Sequence, residues 1–175
     1  MYTDSSIYIL GDLIPAWFDI KSSDPDDFLN QEEDELGIKK SKHIIESVIK
    51  AEINSCVLPS KIIIGGFSQG AAMALYTALT TKFKLAGVIA LSGFLPLRDS
   101  ILTDATHINQ DTPALQIHGE ADNVLPYQSI AIGTNEILKR FLTRLEFKSY
   151  PNLNHTISPE ETKYVKEFLI RVTSN

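Results

Sequence analysis

The chain has 175 residues, 43% of them hydrophobic and 22% charged, with a net charge of −6 at pH 7 and a pI near 5.2. That length and apolar content predict a single domain over residues 1–175, large enough for a real core. The acidic balance argues against nucleic acid or an anionic membrane as the main electrostatic partner, and no apolar run is long enough to span a bilayer.

Ile7 to Phe18 is partly apolar, but no basic region precedes it and Asp12 and Pro15 interrupt it, so it does not read as a signal peptide. Lys21 to Glu35 is the one clearly polar stretch. It lacks the regular ligand spacing and central glycine of a calcium loop and reads as a solvated loop leading into a helix. That helix is predicted over residues 34–54, with Ile45, Val48, Ile49 and Ile53 on one face. Cys56 is alone. It permits no internal disulfide, reads as a small buried hydrophobe, and fits a reducing, cytoplasmic setting.

Lys61 to Gly65 contains three consecutive isoleucines, the pattern of a parallel strand covered on both faces. It runs into Gly66-Phe67-Ser68-Gln69-Gly70 and then a helix over about residues 69–81. Leu85–Ser92 and Pro113–His118 are further apolar strands. Residues 128–142 predict a helix with Ile130, Ile137, Leu138, Phe141 and Leu142 inward, and Leu145–Tyr150 alternates as a strand. The last helix opens with Ser158-Pro159-Glu160-Glu161, a capping box with proline at its first position. Its apolar face is Val165, Phe168, Leu169 and Val172. The alternation implies an α/β fold with a mostly parallel sheet flanked by helices. In such sheets ligands bind beyond the carboxyl ends of the strands.

Gly-x-Ser-x-Gly between a strand and a helix is the pattern of a nucleophile elbow. Glycines 66 and 70 suit the tight turn, and the helix N-terminus favours negative charge near the Ser68 hydroxyl. The pentapeptide alone is common, and a plain glycine-rich turn is the rival reading. A serine hydroxyl needs a base, usually a histidine held by a carboxylate. Two later strand-end loops supply both. Asp122 follows the strand ending at His118, and His155 precedes the capped helix. The order Ser68, Asp122, His155 is that of an α/β-hydrolase triad. His43 falls on the first helix and His107 in a polar loop. His118, ending an apolar strand, suits a hydrogen-bonded structural role. Taken singly, Asp122 is also a good turn-former and His155 an ordinary loop histidine.

Five blocks resemble the acyl-protein thioesterases of the phospholipase/carboxylesterase group. They are Pro15-Ala16-Trp17-Phe18-Asp19-Ile20, Gly65 to Ala74, Ala90 to Pro96, His118-Gly119 with Asp122 and Pro126, and Asn154-His155-Thr156-Ile157-Ser158. The resemblance covers residues 15–175 and leaves 1–14 divergent. It implies an α/β-hydrolase core with Ser68 as nucleophile, Asp122 as orienting acid, His155 as base and the Gln69 amide as an oxyanion donor. It also implies hydrolysis of acyl thioesters or esters (S-palmitoylated proteins, lysophospholipids or small carboxylic esters), with acylated protein or lipid ester as the partner and no metal or redox cofactor. Trp17, Phe94 and Leu95 are candidates for an acyl-chain wall, with core packing as the plain alternative.

The chain departs from the family at two places. Asn154 stands where glycine usually precedes the histidine, and asparagine tolerates the left-handed backbone such a turn needs. The family's first strand and its His-Gly-x-Gly-Asp oxyanion loop have no counterpart in the sequence. Losing one oxyanion donor typically costs about 10²–10³-fold in rate. A non-catalytic binding form is therefore the rival function, and a small-ester esterase or peptidase on the same fold a third. The 61–65 strand is expected to be central in the sheet, and Ile7-Tyr8-Ile9-Leu10 is a candidate replacement strand for its open side.

Overall fold

The computed structural model describes residues 6–9, 12–21, 28 and 30–174. In chain order the elements are β1 (Ser6–Ile9), β2 (Asp12–Pro15), α1 (Glu35–Asn54), β3 (Ile63–Phe67), α2 (Gln69–Thr80), β4 (Gly87–Leu91), α3 (Ile101–Asp104), β5 (Ala114–Gly119), α4 (Gly133–Leu138), β6 (Leu145–Tyr150) and α5 (Pro159–Thr173). The strands β3-β4-β5-β6 form one parallel sheet in that order, and β1 pairs only with β2 in a separate antiparallel ribbon. The register aligns Phe67 with Leu91, Leu91 with Ile117, and Ile117 with Lys148. The next residues on β3 and β5, Ser68 and His118, therefore emerge together at the carboxyl edge of the sheet.

Period-two alternation divides the core. Val88, Ala90 and Ala114 join a large cluster with Ile38 and Ile49 of α1 and the apolar residues of α2. Ile89, Leu115 and Ile117 point the other way and meet Phe168, with Tyr164, Val165, Leu169 and Val172 of α5 packed around them. Fully burying a side chain such as Phe168 is worth about 1.5–3 kcal/mol. The last helix begins as its sequence predicts. The Ser158 hydroxyl accepts from the Glu161 amide at 3.1 Å, and the Glu161 carboxylate accepts from the Ser158 amide at 2.8 Å.

Several expectations are corrected. β3 is not a central strand. Among the described residues it pairs with β4 alone, and its residues are half-buried or exposed rather than covered on both faces. Ile7, Tyr8 and Ile9 do not replace a missing neighbour, because they pair with Asp12–Pro15 instead; Leu10 lies outside the described residues. Two segments separated by two residues close a shorter loop than a pairing across half the chain. Val48 is exposed, unlike Ile49 beside it.

The helix expected over 128–142 is divided. Tyr127–Ile132 is a π-helical turn, α4 follows, and Arg140 and Phe141 donate to Ile137 and Leu138 in tighter three-residue bonds. Cys56 is exposed with φ 70°. It occupies the left-handed position after α1, where the Cys56 amide donates to Ile53 and the Val57 amide to Glu52, each at 3.0 Å. That double bond pattern is a Schellman cap, usually built on glycine.

The acidic stretch before α1 is not merely solvated. Asp34 caps α1 by accepting from the Gly37 amide at 2.9 Å. Glu33 is held across the molecule by the Leu97 amide at 2.9 and 3.0 Å. Asp24, Asp26 and Asp27 lie outside the described residues. Among the described residues no cluster of histidine, cysteine and carboxylate groups is placed to hold a metal, and no helix is long and apolar enough to cross a membrane.

Candidate active site

Ser68 stands between β3 and α2 with φ 54° and ψ −120°, a backbone conformation that an L-residue adopts only under constraint. Two contacts impose it. The Ser68 amide donates to Leu91 at 2.9 Å, extending the β3–β4 ladder by one residue, and the Ser68 carbonyl accepts from Ala72 at 3.1 Å, opening the helix. Gly66 makes the turn sterically feasible, since a Cβ there would lie 2.3 Å from the Gly70 carbonyl carbon. The Gly70 requirement expected from the sequence is not steric. A Cβ at Gly70 would meet only the Trp17 indole nitrogen, at 3.8 Å.

Asp122 is placed by the loop after β5. Its Oδ1 accepts from the amides of Val124 at 2.9 Å and Leu125 at 2.8 Å, a local turn around the carboxylate. His155 is placed by the loop after β6, which lies directly against the end of β5. The Ala121 amide donates to the Leu153 carbonyl at 3.1 Å, and a Cβ at Gly119 would lie 2.1 Å from that carbonyl oxygen. Only glycine permits that approach. The Phe67 ring tilts against the imidazole at 4.8 Å between centroids.

These loops bring the three sequence candidates into one hydrogen-bonded line. His155 Nε2 is 2.9 Å from Ser68 Oγ, and His155 Nδ1 is 2.8 Å from Asp122 Oδ2. An ionised carboxylate only accepts, so Nδ1 carries the hydrogen in the neutral ring and Nε2 is left to accept from the serine. Asp122 is 5% exposed. Burial pushes its carboxyl up, but hydrogen bonds from His118, His155 and the Leu125 amide overcome that and hold it well below the usual carboxylate range. His118 meets the expectation of a hydrogen-bonded role, with Nε2 2.8 Å from the Leu125 carbonyl oxygen. Its approach to Asp122, with Nε2 3.3 Å from Oδ2, was hidden in the sequence. His43 lies on α1, its Nδ1 2.6 Å from the Lys39 carbonyl oxygen, and His107 is an exposed loop residue. Neither joins the line.

Gln69 begins α2, and among the described residues its amide has no hydrogen-bond partner. Its side chain has a role the sequence did not reveal. Oε1 accepts from the Trp17 amide at 2.8 Å, and Nε2 donates to the Phe18 carbonyl at 2.7 Å. This clip fixes one wall of a pocket formed by Phe18, Ile20, Phe28, Phe94, Leu95, Ile130 and Ile137, with Glu33, Asp34 and Arg98 among its polar lining. Phe94 packs edge-on against Phe28 at 4.8 Å and Phe18 at 6.1 Å. Of the three candidate wall residues, Phe94 and Leu95 line this pocket. Trp17 lies elsewhere, at 36% exposure, on an apolar groove between α1 and β3. Ser68 and His155 do not line the pocket, but Gln69 and Gly93 tie its walls to the serine turn.

A parallel sheet with a strained serine elbow and an aligned histidine and aspartate at its carboxyl edge defines the α/β-hydrolase class. Residues 6–173 match the phospholipase/carboxylesterase family, and the chain belongs to that family. It is 38% identical over 159 residues to an acyl-protein thioesterase 1 of Neurospora crassa, covering 89% of this chain and 64% of that one. It is also 38% identical over 163 residues to an acyl-protein thioesterase 1 of Gibberella zeae, covering 91% and 69%. The chain thus spans about two thirds of the length of these relatives. The crystal structure of Arabidopsis thaliana SOBER1 superposes with a TM-score of 0.84 at 29% identity, covering 93% of this chain and 76% of that one.

Proposed function

We propose that the chain is a serine hydrolase of acyl thioesters or esters, working from one α/β-hydrolase domain. The observation that carries this reading is the hydrogen-bonded line Ser68–His155–Asp122, with spacings of 2.9 and 2.8 Å. His155 takes the Ser68 proton through Nε2 as the hydroxyl oxygen attacks the acyl carbonyl carbon. Asp122 holds the imidazole in the required tautomer and stabilises the imidazolium that forms. The Gln69 amide donates to the oxyanion. His155 then returns the proton to the leaving thiolate or alkoxide. A water deprotonated by His155 cleaves the acyl-enzyme and releases the carboxylic acid.

The substrate class is supported by the apolar pocket that the Gln69 clip ties to the serine turn. Phe94 and Leu95, with Phe18, Ile20 and Phe28, offer an apolar wall to an acyl chain. Two relatives are named acyl-protein thioesterases, which favours an S-acylated protein, with lysophospholipids and small carboxylic esters as further substrates. We place this activity in the cytoplasm, consistent with an acidic chain that carries one cysteine.

The test is labelling with a fluorophosphonate, which reacts with activated serines, alongside hydrolysis of a palmitoyl thioester peptide. Ser68→Ala is expected to abolish labelling and to lower turnover by at least about 10³-fold. Labelling that persists in Ser68→Ala would remove Ser68 as the nucleophile.

A second reading is a form that acylates slowly or binds acyl groups without turnover. One observation favours it. The Trp17 amide, close in space to Gln69, is already engaged by the Gln69 side chain at 2.8 Å and does not serve as a second oxyanion donor. Ser68-dependent labelling without measurable hydrolysis selects this reading.

A further inference from the structure

His118 is buried to 0% exposure, and the mechanism above leaves it unused. Its Nε2 faces two acceptors, the Leu125 carbonyl oxygen at 2.8 Å and Asp122 Oδ2 at 3.3 Å. Neither can donate, so Nε2 carries a hydrogen whatever the state of the other nitrogen. Leu125 is bonded at both of its polar groups. Its amide donates to Asp122 Oδ1 at 2.8 Å while its carbonyl accepts from His118. The result is a closed ring of His118, Leu125 and Asp122 behind the carboxylate. Asp122 Oδ2 is then shared by two imidazoles, His155 in front at 2.8 Å and His118 behind at 3.3 Å.

We propose that His118 is a positioning residue of the active site, its Nε2–H fixing both the Asp122 carboxylate and the Leu125 turn so that Oδ2 stays aimed at His155. This rests on the triad reading and deepens it. A histidine placed only to fill space would not need a polar edge turned toward the one carboxylate that holds the base. Among the described residues, groups from two other elements face it. From α5, the buried Glu161 interacts with His118 electrostatically, and its carboxyl is pushed up by burial. The Glu161 Oε1 and His118 Nδ1 are both buried without a hydrogen-bond partner. From the π-helical turn, the Tyr127 ring lies 6.3 Å from the imidazole.

The experiment compares His118→Gln, which keeps an N–H donor near the Nε2 position, with His118→Phe, which keeps a ring and loses the donor. Folding is checked by thermal unfolding. Thioester hydrolysis is followed across pH, and the His155 ring proton is titrated by NMR, a readout that needs no turnover. In His118→Phe, kcat is expected to fall about 10- to 100-fold with KM unchanged, the cost of a loosened catalytic group. With one donor fewer on Asp122, more of its charge is available to the His155 imidazolium. The His155 titration is therefore expected to move away from its wild-type position. His118→Gln is expected to restore both quantities toward wild type.

Wild-type kcat and titration in His118→Phe would overturn the proposal. So would an equal loss in both variants with the His155 titration unmoved, which is the signature of packing alone. If His118→Phe does not fold, His118→Gln against the shorter His118→Asn decides it, because only the longer amide reaches the Nε2 position. Equal behaviour of those two also overturns it. If Ser68→Ala left hydrolysis intact, the triad reading would fail. The NMR titration would still report whether His118 acts on His155 through Asp122, so the two failures are distinct.

Discussion

The two flanks of the sheet are built to different standards. At the β5–β6 flank the Asp122 carboxylate is engaged from several sides, although His118 Nδ1 and Glu161 Oε1 behind it are buried without a hydrogen-bond partner. Asp122 accepts from two amides and one imidazole at 2.8–2.9 Å, with a second imidazole close behind. The His155 loop is bonded to the Asp122 loop at Leu153 and closed by a full capping box at Ser158. At the β3 flank, among the described residues, the strand pairs on one side only, and an apolar groove of Trp17, Ile44, Ile45, Val48, Ile49 and Ile62–Ile64 lies open beside it. Under the proposed mechanism the contrast separates two parts of catalysis. Proton handling by Asp122 and His155 would sit on the β5–β6 flank, whereas the acyl chain and the oxyanion would be received by β3, α2 and the Trp17–Phe18 segment, where the Gln69 side chain is the clip.

The sharpest way to break this contrast is to exchange glycines for alanine on each flank. Gly119→Ala places a Cβ 2.1 Å from the Leu153 carbonyl oxygen, and backbone cannot yield as a side-chain tip does. The His155 loop must shift, and a displacement of 1 Å in a catalytic group costs about 10²-fold. Hydrolysis is expected to fall by at least that factor, with a lowered unfolding midpoint. Gly70→Ala, on the open flank, meets only the Trp17 indole nitrogen at 3.8 Å and lies within α2. Alanine is favoured over glycine in helices by about 1 kcal/mol, so stability is expected to hold or rise. Thermal unfolding and kcat on both variants check the pair. Equal damage at the two positions would erase the distinction between the flanks.

A smaller effect separates the flanks by pH. The Asp122 carboxyl is held well below its ordinary range in the fold. A depressed carboxyl contributes stability that is present above its unfolded pKa of about 3.9 and is lost as pH falls toward its folded value. Asp122→Asn removes that contribution. Urea unfolding is expected to show the variant less stable at pH 7, with the gap to wild type closing below about pH 4. Glu33, which lines the apolar pocket, has the opposite sign. Burial pushes its carboxyl up despite the Leu97 amide and Arg98. Its contribution is therefore most favourable in acid and declines as pH rises through its folded value. Glu33→Gln is expected to flatten that decline, measured in the same titration.

The same division governs how much was legible in the sequence. On the β5–β6 flank the determinants are local. Leu145–Tyr150 alternates as a strand and Ser158–Glu161 caps a helix, and both stand where the residues place them. The order Ser68, Asp122, His155 was enough to expect the three side chains at one edge, because strand ends in a parallel sheet meet there. What escaped depends on residues far apart in sequence. The Gln69 side chain clips Trp17 and Phe18 across more than fifty positions, a distance no periodicity reports. Three isoleucines before the elbow read as a doubly covered strand, but burial of β3 depends on which strand pairs beside it, and β1 finds β2 first. Trp17 reads as a pocket wall by its chemistry alone. Only the clip, which turns Phe18 and not Trp17 into the pocket, separates the two.

The smallest expected effect concerns the open groove itself. Val48 is an apolar residue on the inward stripe of α1 by spacing, yet it is 54% exposed. A substitution at a solvent-exposed position without special contacts changes stability by no more than about 0.5 kcal/mol. Val48→Lys is therefore expected to leave the unfolding midpoint nearly unchanged. An unpaired, apolar strand edge promotes association between chains, and a lysine beside it opposes that by charge and desolvation. The variant is expected to show less concentration-dependent light scattering than the wild type while keeping its rate of fluorophosphonate labelling. A loss of stability well beyond 0.5 kcal/mol would mean that Val48 is packed in solution, and the β3 flank would then be as closed as the flank that carries Asp122 and His155.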